Sequence, residues 1–234
     1  MEVHPHTHHG KKKWTEYFWE FFMLFLAVTL GFFVENQREH YIEHQREKLY
    51  MRSMTEDLKK DTAMLSYIKH RAQSVLNHID SALTILQNED LDNKNIVDLY
   101  RVNLNLLSNT SPTFTDRTTV QLKNAGAMRL IRNQTTVDGI VNYWSEAENI
   151  KGISDLLEDY KIKARERSYS IFDQKYYNDS SAAPSLLVSD KLQLTEFANR
   201  LAHIKNLSNN RYITAINSQT ENSKKLIETI THNY

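Results

Sequence analysis

The chain has 234 residues, with Lys plus Arg and Asp plus Glu both at 29, so no net field draws it to nucleic acid or to an acidic substrate. Cysteine is absent, which excludes disulfides, thiolate metal sites and a cysteine nucleophile. Five glycines and three prolines leave room for long helices rather than many short strands.

Residues 1–13 open the chain with MEVHPHTHHG and a lysine block. His4, His6, His8 and His9 stand beside Pro5 and Gly10 without an apolar period, which predicts a disordered polar tail. Imidazole is a common metal ligand, but nothing nearby supplies a fold to organise a site. No cofactor is expected.

The stretch WTEYFWEFFMLFLAVTLGFFV, Trp14 to Val34, reads as lipid-facing. From Phe21 to Val34 it carries no charge, and extending back to Tyr17 admits only Glu20. At about 1.5 Å per residue the wider segment covers roughly 27 Å, close to the roughly 30 Å of a bilayer's hydrocarbon core. Trp14, Tyr17 and Trp19 gather at the lysine end, where amphipathic rings prefer the headgroup layer, and Glu20 can reach back to that boundary. Phe32, Phe33 and Val34 close the run, so it lacks the small-residue cleavage site of a secretory leader. A transmembrane helix over 14–36 is predicted, followed by a water-soluble helical domain over 37–234. Lys11, Lys12 and Lys13 before the span are matched by Arg38, Arg46, Lys48 and Arg52 after it. The tight lysine block on a short tail favours a cytoplasmic amino terminus and a domain on the far side of a bacterial inner membrane.

No helix breaker follows until Asn88 to Asn93, so the span is expected to continue as one rod, about 110 Å from Trp14 to Gln87. Met54, Leu58, Leu65, Ile68, Ala72, Val75, Ile79, Ala82 and Leu86 recur at threes and fours, and Asp61 fills the seam position between Leu58 and Leu65. Such a stripe packs on a second copy or on later helices of the same chain; matching later stripes favour the intramolecular bundle.

Ile96, Leu99, Val102, Leu106 and Leu107 predict a short helix over 95–108, stopped by Asn109 to Pro112. A second begins at Thr115 or Asp116 and runs through Val120, Leu122, Met128, Leu130 and Ile131, with Gly126 inside it as a close crossing or a break. A third runs from Thr136 through Ile140, Trp144, Ile150, Leu157 and Ala164 and fades near Phe172. Tyr176 to Pro184 reads as a loop. The last helix starts near Asp190 and passes Leu194, Leu201, Ile213 and Ile230, with Asn209-Asn210 as a nick. The expected fold is all-α: one N-terminal transmembrane helix continuing into a long amphipathic rod, packed with later helices as an elongated bundle.

His40, Glu43 and His44 spell H-x-x-E-H, in which two histidines one turn apart hold Zn²⁺ and the glutamate acts as general base. The match lies within two turns of the span in a charged run, and a hydrolase needs a third ligand and a walled cleft, so the solvated-face reading stands ahead of the zinc reading. Tyr143, Trp144 and Tyr160 are candidates for an aromatic ligand pocket, although aromatics on a helical stripe are usually core. No phosphate-binding glycine loop, nucleophile elbow or acidic calcium loop occurs.

The histidine-rich start, KKKWTEYFWEFFMLFLAVTLGFFVENQREH, MRSMTEDLKKDT and FTDRTTVQLKNAGAMRLIRNQTTVDGIVNYW together resemble a group of uncharacterised single-pass membrane proteins common in Bacteroidetes bacteria. That resemblance implies an inner-membrane anchor with a helical domain beyond it, and it carries over no catalytic or cofactor residue. The expected function is a membrane-anchored structural or interaction module, not an enzyme. Its partners would be the lipid bilayer and a protein or a second copy of itself. A ligand-sensing domain that signals through a partner, and a zinc-dependent hydrolase at His40 and His44, are the rivals.

Overall fold

In the computed structural model, which describes residues 13–87, 91–106, 108, 110–178, 184–188 and 190–234, Trp14–Leu86 forms one helix, α1. Proline is absent from this stretch and Gly31 is its one glycine, so backbone hydrogen bonding runs through it without a breaker. The tail histidines His4, His6, His8 and His9 lie outside the described residues, as do parts of the breaks at 88–93 and 176–184.

The chain divides into two compact units, Met1–Leu49 and Tyr50–Tyr234. In the first, α1 carries a window with mean hydropathy 1.9, long and apolar enough to cross a membrane, and none of it is buried within the protein. Phe21, Leu24, Phe25, Phe32 and Val34 are all exposed. The aromatic rings stack along the helix, with Trp14 on Phe18, Phe18 on Phe22 and Phe21 on Phe25, each at i and i+4.

The second unit is a helical bundle. The remainder of α1 is joined there by α2 (Asn93–Asn105), α3 (Arg117–Asn124), α4 (Gln134–Ser168), α5 (Lys191–Leu207) and α6 (Thr214–Asn233). No strand occurs among the described residues; Phe172 and Leu186 make an isolated antiparallel bridge. The predicted stripe on α1 is buried from Met54 to Ala82, with Leu86 half-buried, and it packs against later helices of the same chain. Asp92, Asn133 and Asp190 cap α2, α4 and α5, accepting bonds from the amides of Asn95, Thr136 and Leu192.

Two boundaries differ from the periodicity. The helix expected to run from Thr115 or Asp116 through Ile131 stops at Asn124, because Gly126 takes the left-handed conformation with φ 58°. A tight 3₁₀ turn, Ala127–Leu130, follows and still delivers Ala127 and Ile131 to the core. A left-handed residue ends an α-helix and glycine adopts it without penalty, so the break wins over the apolar repeat. At Asn209-Asn210 the chain does not nick: Ser208–Ile213 widens to π-helical bonding between α5 and α6, leaving Tyr212 buried. Gly139 on α4 marks a close crossing, since a Cβ there would stand 2.8 Å from Leu226 Cδ1 on α6.

Candidate functional site

The core of the bundle is split into two apolar clusters. One gathers Met51, Met54 and Leu58 of α1 with Leu122, Ile140, Leu226 and Ile230. The other begins at Leu65 and gathers Ile79, Leu99, Ile150, Leu157 and Leu201. The seam position between Leu58 and Leu65 is Asp61, and a buried polar layer lies there.

Asp61 is 1% exposed, and both of its carboxyl oxygens are engaged: Oδ1 accepts from the Thr115 amide at 2.9 Å and Oδ2 from the Tyr143 hydroxyl. One turn earlier, Asp57 accepts from Arg117 Nη2 at 3.1 Å on Oδ1, and from the Thr118 amide at 3.2 Å and hydroxyl on Oδ2. Asp116, the residue before α3, makes no side-chain cap, so Asp57 reaches across from α1 to satisfy an α3 amide instead. On α6, the fully buried Gln219 donates from Nε2 to the Tyr143 carbonyl at 2.9 Å. The stretches MRSMTEDLKKDT and FTDRTTVQLKNAGAMRLIRNQTTVDGIVNYW thus meet at this layer, through Asp57 and Asp61 on one side and Thr115, Thr118 and Tyr143 on the other.

The connection from Thr110 to Asp116 is held at its start by a second group. Lys161 of α4 is 3% exposed, and its Nζ donates to the Ser108 carbonyl at 3.2 Å, to Thr110 Oγ1 at 3.0 Å and to Glu158 Oε1 at 2.8 Å. The Tyr212 hydroxyl donates to the Thr110 carbonyl, and Ser154 Oγ bonds Ser111 Oγ at 2.9 Å. Burial pushes the Tyr212 hydroxyl up to about 12, with the Glu158 charge adding to it. Burial likewise raises Tyr143 well above the ordinary phenol range, reinforced by its bond to Asp61 and by the charges of Asp61 and Asp57. Both phenols are therefore fixed as donors at neutral pH. Each oxygen of Asp57 and Asp61 accepts from a protein donor, which ties α1 to α3 and α4, while Gln219 ties α6 to α4.

His40 and His44 lie on one face of α1 in the first unit. Their rings face carboxyl groups on the same helix, His40 Nδ1 being 3.9 Å from Glu43 and His44 Nδ1 3.1 Å from Glu47. Among the described residues no group of three His, Asp or Glu side chains is placed to share a metal ion. The aromatic candidates do not gather either. Tyr143 turns inward to Asp61, Trp144 packs beside the first cluster under Lys123 Nζ at 4.4 Å, and Tyr160 meets the His203 ring at a tilt, 4.3 Å between centroids.

A cleft of about 970 Å³ opens between the end of α1, the start of α2, the segment 184–186 and α5. Sequence reasoning did not anticipate it. Its lining comes from two regions far apart in the chain, 83–96 and 184–202, neither bearing a motif, and Leu86, Ile96 and Leu194 read in sequence as ordinary stripe. No family model, curated protein or solved structure matches this chain.

Proposed function

We propose that this protein is a single-span module of the bacterial inner membrane, with residues 14–36 embedded in lipid, the amino terminus cytoplasmic and the bundle periplasmic. The bundle serves as a structural or interaction module that holds a protein partner, not as an enzyme. The observation that carries the reading is the exposed apolar window of α1, with mean hydropathy 1.9 and nothing of the protein covering it. Water would not tolerate so long an uncovered apolar segment; lipid does. The buried polar layer supports the second half of the reading, because its carboxyl groups are engaged in tying α1 to α3 and α4.

Membrane fractionation with in-cell crosslinking tests both halves. After an alkaline carbonate wash the full chain is expected to stay in the membrane pellet, and crosslinking is expected to join the bundle to a defined protein at fixed residues. Release into the supernatant overturns the anchor. Retention with no crosslinked protein at any bundle position overturns the interaction role.

A further inference from the structure

Two helices of the bundle leave a long face uncovered, and the two faces differ in sign of charge. On α1 the side chains exposed between 59 and 79 include Lys59, Lys60 and Lys69, with Arg71 half-buried beside them. Asp61, the one acid of that stretch, is 1% exposed and turned into the polar layer. The acids at either end are already engaged: Glu56 lies between Arg52 at 3.9 Å and Arg117 at 3.8 Å, and Asp80 meets Lys205 Nζ at 2.5 Å. Lys59, Lys60 and Lys69 form no ion pair among the described residues. About 30 Å of helix therefore presents basic side chains without an exposed acid among them.

On α4 the balance is reversed. Between 141 and 162 the exposed acids Glu148, Asp155 and Asp159 stand against Lys151 as the one exposed cation, Lys161 being buried. Asp159 pairs with Lys163 at 2.6 Å, whereas Glu148 and Asp155 form no ion pair among the described residues. Val141, Glu148, Gly152, Asp155, Asp159 and Ile162 follow one another at sevens, fours and threes, which places them on one line along the helix. Val141 is 47% and Ile162 55% exposed, and a Cβ at Gly152 would meet nothing within 4 Å, so nothing within the chain covers this line. Lys60, Tyr67, Arg71 and Ser74 of α1 repeat the seven, four, three spacing of Val141, Glu148, Gly152 and Asp155, and Tyr67 is 58% exposed. Each face thus joins uncovered apolar surface to charge mostly of one sign, the make-up of a contact surface.

We propose that the bundle associates with a second copy of this chain, the solvent face of α1 in one copy lying against the solvent face of α4 in the other. Charge complementarity selects the occupant, because the basic face of α1 has its acidic counterpart, at the same helical spacing, on the chain itself. Acids and bases are equal in number over the whole chain, so two copies meet without net repulsion. A single exposed ion pair contributes little; several charges on one face, with burial of Tyr67, Val141 and Ile162, supply the attraction together. The association is independent of the anchoring role and of any other protein the bundle holds.

Sedimentation of the full-length protein in detergent micelles, with charge reversal on each face, tests it. The unaltered chain is expected to self-associate, and the association constant is expected to fall about tenfold as salt rises from about 50 to about 500 mM. Lys59→Glu with Lys60→Glu, and separately Glu148→Lys with Asp155→Lys, are each expected to leave monomers at unchanged helicity, since all four side chains are exposed and unpaired. Mixing the two variants is expected to restore association, and so is combining all four substitutions in one chain, because the reversed faces match again. A monomeric unaltered chain overturns the proposal. So does association that persists through both reversals and high salt, which would assign the contact to residues 14–36. Loss in each variant without recovery on mixing overturns the pairing of α1 with α4. Carbonate retention and crosslinking to a different protein are read separately, so failure here leaves the anchor and the interaction role standing.

Discussion

Burial raises the hydroxyls of four tyrosines, Tyr100, Tyr143, Tyr177 and Tyr212, above the ordinary phenol range. A phenol that holds its proton more tightly folded than unfolded contributes stability that is complete below pH about 10 and is lost as pH rises through the folded value. For Tyr212 that window runs from the ordinary 10 to about 12. The bundle is therefore expected to lose urea resistance steeply above pH 10. Tyr212→Phe is expected to flatten part of that loss, at a cost of about 1 kcal/mol at neutral pH for the missing bond to the Thr110 carbonyl. Urea midpoints measured from pH 7 to pH 12 check it; a variant with the same alkaline slope as the unaltered protein refutes it. Half of this arrangement was legible in the sequence. Asp61 stood out as a polar residue at an apolar seam position, but its partner Tyr143 lies 82 residues away. No local rule links the two, and Tyr143 read as a core aromatic. Asp57 carried no signal beyond being one acid in a charged run.

Among the helices, the apolar stripe of α1 could be read in advance because a repeat at threes and fours has one physical use, and the residues from Met54 to Ala82 are indeed buried. The end of α3 was harder. Apolar spacing continues through Met128, Leu130 and Ile131, and the spacing cannot distinguish a helix from a 3₁₀ turn that returns the same side chains to the core. Gly126 decides it. A Cβ at this position would meet nothing within 4 Å, so a substitution there tests backbone conformation alone. Gly126→Ala is expected to destabilise the bundle by about 1–2 kcal/mol, the cost of holding an L-residue in the left-handed region. Gly126→Asn is expected to recover part of it, since asparagine visits that region more readily. Urea denaturation followed by circular dichroism reads both. An alanine variant as stable as the unaltered protein would show that the turn persists without its glycine. Gly139 behaves differently: there Leu226 occupies the space a Cβ needs, so steric contact between α4 and α6 sets the requirement.

For the molecule as a whole, hydropathy and helical period revealed an apolar segment followed by an all-α domain, while the cleft stayed hidden because tertiary folding alone brings residues 83–96 and 184–202 together. For the proposed single-span topology, the flanking charges weigh orientation only weakly, with three lysines before residues 14–36 against four basic residues after them. The absence of cysteine makes a direct measurement possible, because any single introduced thiol is the only one in the chain. Ser66 is exposed on α1 within the bundle unit, so Ser66→Cys puts a thiol on the bundle surface without touching the core stripe. If the bundle is periplasmic, a membrane-impermeant maleimide is expected to label it in cells whose outer membrane alone has been permeabilised, with no further gain when the inner membrane is opened. Labelling that requires opening the inner membrane places the bundle in the cytoplasm. That outcome would reverse the proposed topology and restrict the bundle's partners to the cytoplasmic side.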